Sequence, residues 1–113
     1  MVPHVNTVEE ARQIIADAKY FPLGMRGVAV PRAADYGMCM PIREYMRREN
    51  ENTLIAVQCE NIKCLPNLDK ITALEGIDVV FIGPFDLSQS FGIPGEVFAE
   101  PIQEVIEIGR AHV

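Results

Sequence analysis

The sequence predicts an α/β fold built on a parallel sheet, and three observations point to it. Apolar runs alternate along the chain with amphipathic segments. Two of those runs are apolar at consecutive positions rather than at every second one. The amphipathic segments carry helix start and stop residues. Strands covered on both faces read as continuous apolar runs, and strand–helix alternation implies parallel strands joined by right-handed crossovers.

Val2-Pro3-His4-Val5 reads as the end of a first strand. Thr7 with Glu10 three residues on forms a capping box, so a helix starts at Val8 and places Val8, Ala11, Ile14, Ile15 and Ala18 on one face. Tyr20-Phe21-Pro22-Leu23-Gly24 closes it with turn residues. Between Gly24 and Pro41 the glycines and prolines, among them Gly27, Pro31 and Gly37, interrupt any period and predict an excursion with at most short elements. A second helix follows from Pro41 to Asn50, with Pro41 suited to the first helical position and Ile42, Tyr45 and Met46 facing inward.

Leu54 to Glu60 is the second strand, apolar until its polar C-terminal end. A helix from Pro66 to Glu75 presents Leu68, Ile71 and Leu74 inward and stops at Gly76, with Pro66 delaying its start by a turn. Ile77 to Ile82 is the third strand, ended by Gly83-Pro84, and a last helix starting near Pro101 buries Ile102, Val105, Ile106 and Ile108. Three buried parallel strands leave pairing groups exposed at both edges, so the sheet reads as cut.

A length of 113 residues allows one domain, and 10 Lys+Arg against 16 Asp+Glu argue against nucleic acid as a partner. No apolar stretch approaches the roughly 18 to 20 residues of a membrane span, and Met1-Val2-Pro3-His4 has no secretory pattern. A cytoplasmic location is the resulting expectation. Cys39, Cys59 and Cys64 form an odd set without C-x-x-C, which predicts free buried thiols rather than a disulfide or a thiolate metal site. His4 and His112 stand at opposite ends of the chain with no ligand partner nearby in sequence, so a zinc site is not expected.

In βα folds the C-terminal ends of the strands carry the chemistry. Here those ends hold Gln58 and Glu60 after one strand and Asp86 after the next. Neighbouring strands lie about 4.8 Å apart, so carboxylates at adjacent strand ends can share a divalent ion such as Mg²⁺. The other reading is local: Glu60 and Asp86 cap their loops while Ser88 supplies turn hydrogen bonds. Spacing alone favours that second reading. Arg26 and Arg32 in the excursion read as surface or subunit-contact charges.

The order of residues shifts the balance. Glu75-Gly76-Ile77-Asp78-Val79-Val80-Phe81-Ile82-Gly83-Pro84-Phe85-Asp86-Leu87-Ser88, with Phe91-Gly92-Ile93-Pro94-Gly95, resembles the E-G-[IV]-D-x-[IV]-F-[IV]-G-P-x-D-L-S segment of the HpcH/HpaI aldolases. Val57-Gln58-Cys59-Glu60 is similar to that family's V-Q-[IV]-E, and Asn67-Leu68-Asp69-Lys70-Ile71 to its N-L-D-x-I. Val2 to Ala11 and Tyr20 to Gly27 also resemble its V-P-x-V-x-T-x-E-E-A and Y-P-P-x-G-x-R-G segments.

The resemblance implies part of a (β/α)₈ barrel of the phosphoenolpyruvate/pyruvate type, about three βα units in residues 1–113. A complete barrel runs to about 250 residues. It implies metal-dependent, reversible retro-aldol cleavage of 4-hydroxy-2-oxo acids to pyruvate and an aldehyde. The metal would be Mg²⁺, with Mn²⁺ or Co²⁺ as alternatives, and the parent a homo-oligomer, commonly a hexamer. Glu60 and Asp86 match the metal-ligand positions, while Gln58 and the Phe85-Asp86 loop match positions that hold the pyruvate moiety. Phe85 stands where smaller or polar residues are common, which puts the aldehyde specificity in doubt. The family's base histidine lies before the segment matched here and His4 does not match it, so no general base is assignable. Two alternatives stand beside this reading: a citrate-lyase-like or malyl-CoA-like C–C lyase, and a non-catalytic partial barrel.

Overall fold

A computed structural model describes residues 1–30 and 32–111. Pro31 and His112, both named above, lie outside the described residues. Two parallel strands, β1 (Ala56–Cys59) and β2 (Val79–Ile82), form the sheet, in the register Ala56 to Val79 through Cys59 to Ile82. Among the described residues five α-helices accompany them: α1 (Val8–Ala18), α2 (Ile42–Asn52), α3 (Leu68–Thr72), α4 (Pro84–Ser90) and α5 (Glu100–Ala111). The radius of gyration is 17.1 Å, against about 13 Å for a compact chain of this length. The molecule is therefore elongated, with extents of 54 × 24 × 20 Å.

α1 forms where the capping box requires it. Thr7 Oγ1 accepts the Glu10 N–H, and Glu10 Oε2 accepts the N–H groups of Asn6 and Thr7. The amides of Asn6 and Thr7, first of all Asn6, hold the Glu10 carboxyl below its ordinary value. The apolar face of α1 packs with Val5, Ile55, Val57 and Ile71. α3 is short because Pro66 lies in a 3₁₀ turn (Ile62–Asn67) that precedes it. α3 also ends early, at Thr72 with Ala73 as its cap, because the Leu74 N–H tightens the chain onto Ile71 O; the expected stop, Gly76, lies beyond it in a turn at φ +105°, with the Ile15 side chain against its backbone. Asp78 Oδ2 accepts the Ile55 N–H at 2.7 Å, which ties the N-terminal ends of both strands together.

Several expectations change. The first strand shrinks to a bridge between Val2 and Val57. β2 is covered on one face only: Val80 and Ile82 meet the helices, whereas Val79 and Phe81 remain 41% and 45% exposed; in β1, Val57 and Cys59 face the helices and Ala56 on the other face is buried as well. Continuous apolarity in β2 marks a strand with two apolar faces, of which this chain's described residues cover one. Pro84, expected only to end the third strand, is preset for a first helical turn and opens α4. In α2, Tyr45 is buried, but Ile42 and Met46, which flank it on the helix, line an apolar groove of about 940 Å³. Ile108 of α5 is likewise exposed, while Ile102 and Val105 pack on Leu87 of α4.

The cysteines are also redistributed. Cys59 and Cys64 form a disulfide, with Cα atoms 5.8 Å apart, because the 3₁₀ turn after β1 folds Cys64 back under the strand. Cys39 is the free thiol and is exposed; it donates to Asp35 Oδ2, and that bond raises its pKa above the ordinary thiol value. The excursion is anchored at its start by a buried clasp. Asn50 exchanges hydrogen bonds with the Tyr20 backbone, and Lys19 Nζ donates to the carbonyls of Asn50 and Thr53 at the C-terminal end of α2. None of the helices described is long and apolar enough to cross a membrane.

Candidate metal centre

The carboxyl ends of the strands meet at Glu60, the residue after β1. Its side chain is only 4% exposed, so its carboxylate needs partners. One comes from the N-terminal segment. Val2 exchanges regular parallel bonds with β1, donating to Ala56 O and accepting from Gln58 N. The next acceptor, Gln58 O, would take the N–H of residue 4 in a regular ladder. It takes that of Val5 instead. His4 is thus an extra residue at a bulge, at φ +55°, and its freed N–H donates to Glu60 Oε1 at 2.9 Å. Histidine tolerates this left-handed conformation better than most residues, and a bulge beside a site re-aims a side chain.

The second strand contributes through Gly83. A Cβ built there would lie 2.5 Å from Glu60 Oε2 and 2.9 Å from Glu60 Cβ, so the Glu60 side chain occupies space that only glycine leaves open. Pro84 then starts α4, and Asp86 stands in its first turn. Ser88, fully buried, fixes that turn by donating to Phe85 O and accepting from the Gly95 N–H. Leu87 anchors the helix in the core. The D-L-S triplet therefore combines one exposed carboxylate with two residues that hold it in place.

Donor atoms of His4, Glu60 and Asp86 lie within 4.8 Å of one another, and His4 Nδ1 is 3.4 Å from Glu60 Oε1. Two carboxylates and an imidazole are a donor set that suits a divalent ion, and the buried carboxylate gains most from its charge. Glu60 and Asp86, assigned from sequence, come together. His4, set aside from sequence, joins them, because 56 residues separate it from Glu60 and only strand pairing shows the proximity. Gln58 alternates with Val57 and Cys59, which face the helices, and so lies on the same side of β1 as Glu60. Cys59 points away from the centre, as the alternation predicts. Phe85 is 68% exposed at the start of α4.

Parallel strands whose carboxyl ends gather candidate ion-binding side chains define a protein of the βα class. More narrowly, the chain belongs to the HpcH/HpaI aldolase/citrate lyase family, whose sequence model matches residues 1–111. It is 46% identical over 109 residues to a 2-keto-3-deoxy-L-rhamnonate aldolase of Salmonella paratyphi B, covering 95% of this chain and 40% of that protein. The structure superposes on an HpcH/HpaI aldolase from Desulfitobacterium hafniense with a TM-score of 0.86 at 32% identity, over 97% of this chain and 42% of the other. For an HpcH/HpaI aldolase/citrate lyase family protein from Burkholderia cenocepacia the values are 0.87 and 29%, over 97% and 44%. The chain thus spans about two-fifths of the relatives it matches.

Proposed function

We propose that residues 1–113 form part of a (β/α)₈ barrel whose parent is a divalent-metal-dependent aldolase, cleaving a 4-hydroxy-2-oxo acid reversibly to pyruvate and an aldehyde. The observation that carries this reading is the convergence of Glu60 and Asp86 at the carboxyl ends of adjacent parallel strands. Both would hold the metal, with Mg²⁺ the first candidate and Mn²⁺ or Co²⁺ the alternatives. When bound, such an ion supplies Lewis acidity to a 2-oxo acid and stabilises the negative charge that develops as the C3–C4 bond breaks.

The residues themselves have separable tasks. Glu60, held by the His4 N–H and confined by Gly83, supplies a carboxylate in a fixed position. Asp86, placed by the Ser88 clamp, supplies the second. Gln58 is a side-chain donor on the same face for the oxo acid. Phe85 and Asp86 stand in the first turn of α4, where N–H groups have no intrahelical acceptor, which favours a carboxylate beside them. The exposed Phe85 ring gives the aldehyde side an apolar wall. The 46% identical relative acts on a six-carbon deoxy sugar acid by its name, which makes 2-keto-3-deoxy sugar acids the first substrates to try.

The test is a retro-aldol assay on the parent protein with a 2-keto-3-deoxy sugar acid, pyruvate release being coupled to lactate dehydrogenase, before and after chelation. Activity lost on chelation, restored by Mg²⁺ or Mn²⁺, and reduced at least about 10³-fold in Glu60→Gln and Asp86→Asn is expected. Chelator-resistant turnover would refute the metal role. Turnover of citryl or malyl thioesters but not of oxo acids would move the protein to the lyase branch of the family.

A further inference from the structure

We propose that His4 is a third protein ligand of the metal centre and biases it toward Mn²⁺ and Co²⁺ over Mg²⁺. The inference rests on the two-carboxylate reading above and adds to it a residue that the sequence motifs leave out. Three observations support it: the imidazole, Glu60 and Asp86 have donor atoms within 4.8 Å of one another, His4 Nδ1 lies 3.4 Å from Glu60 Oε1, and the bulge at His4 fixes its backbone against the same carboxylate.

Geometry permits a common ion. Oxygen and nitrogen donors bind divalent metals at about 2.0–2.2 Å, so ligands on opposite sides of one ion stand about 4.2 Å apart and adjacent ones closer. The longest separation in the cluster is 4.8 Å, and closing the remaining ~0.6 Å takes only rotation of His4 and Asp86, both exposed. Glu60, the buried member, has no need to move. The ion would therefore form on Glu60 as a fixed base, with the two surface side chains folding onto it.

Chemistry then sets the preference. Mg²⁺ strongly favours oxygen and surrenders water reluctantly, so an imidazole adds little to its binding. First-row transition ions gain from nitrogen, Co²⁺ more than Mn²⁺. A site of two carboxylates alone would discriminate less.

The experiment measures metal binding on the purified protein by calorimetry with Mg²⁺, Mn²⁺ and Co²⁺ separately, and records electron spin echo modulation of the Mn²⁺ form for directly bound imidazole nitrogen. The variants are His4→Gln, His4→Gly and Glu60→Gln. Glycine at position 4 accepts the φ of +55°, so that variant keeps the bulge and the N–H bond to Glu60, and unchanged thermal melting checks the fold. Expected are nitrogen modulation in the wild type and its loss in both His4 variants. With it should go a fall of about tenfold or more in Co²⁺ affinity and of less than about twofold in Mg²⁺ affinity. Wild-type Mn²⁺ without nitrogen coupling, or Co²⁺ affinity unchanged in both His4 variants, would overturn the proposal, while loss of binding in Glu60→Gln would still uphold the carboxylate site. Full binding in Glu60→Gln would remove the carboxylate site and this inference with it.

Discussion

Gly83→Ala isolates how closely the two strand ends must approach. The backbone of Gly83, at φ −91° and ψ +96°, accepts any residue, so the substitution acts through space alone. The added methyl would lie 2.5 Å from Glu60 Oε2 and 2.9 Å from Glu60 Cβ. The oxygen can swing aside; the Cβ is fixed to β1 and can retreat only if the strand end moves. Overpacking of this kind costs about 1–3 kcal/mol. For a chain of this size that lowers Tm by about 4 °C per kcal/mol. The larger effect is on binding: a swung carboxylate leaves the shared position with His4 and Asp86, and loss of ligand positioning typically weakens a metal about 10- to 100-fold. Calorimetric titration with Mn²⁺ and thermal melting read the two effects separately. Gly92→Ala is the control, since Gly92 sits at φ +78° in open space and its substitution strains the backbone by about 1–2 kcal/mol without touching Glu60. Mn²⁺ affinity in Gly83→Ala within about twofold of wild type would refute the reasoning.

Glu10→Gln should destabilise the protein by about 0.5–1 kcal/mol near neutral pH. Because the folded state lowers the Glu10 pKa below 4.5, the contribution is complete above that value and disappears as pH falls through the lower folded pKa; urea unfolding from pH 3 to 7 in both proteins checks the convergence. Asn50→Ala strands the buried Tyr20 N–H and carbonyl and should cost about 2–4 kcal/mol in the same assay, whereas a loss under 1 kcal/mol would show that water replaces the clasp. Alkylation of the denatured, unreduced protein should add one label, at Cys39, and of the reduced protein three, as read by intact mass. In the native protein Asp35→Asn should speed Cys39 labelling near pH 8, since losing the Asp35 bond lowers the thiol pKa toward its ordinary value and enlarges the thiolate fraction.

Local chemistry was legible wherever partners are close in the chain. The Thr7–Glu10 box and the delay at Pro66 each depend on residues within one turn, and each stands where the spacing puts it; the expected stop at Gly76 does not, since α3 already ends at Thr72. Glu60 and Asp86 were legible through position, since parallel strands aligned in one direction bring their C-terminal ends together. Exposure of Val79 and Phe81 was not legible, because apolarity records that a face can be buried and not what lies over it. Ile42 and Met46 show the same ambiguity on a helix, where the residues beside the buried Tyr45 line a groove instead of the core.

By itself, then, the sequence determined the α/β alternation, the capping box of α1 and the two carboxylates at neighbouring strand ends, all of them consequences of short-range spacing and strand direction. Only the tertiary structure decided that His4 joins them and that Cys64 folds back to Cys59. It also decided that Gly83 leaves room for the Glu60 side chain. Those facts depend on a one-residue bulge, a 3₁₀ turn and the distance between two strands. Such features arise from hydrogen bonds and packing between segments far apart in the chain, and no local pattern of residue types encodes them.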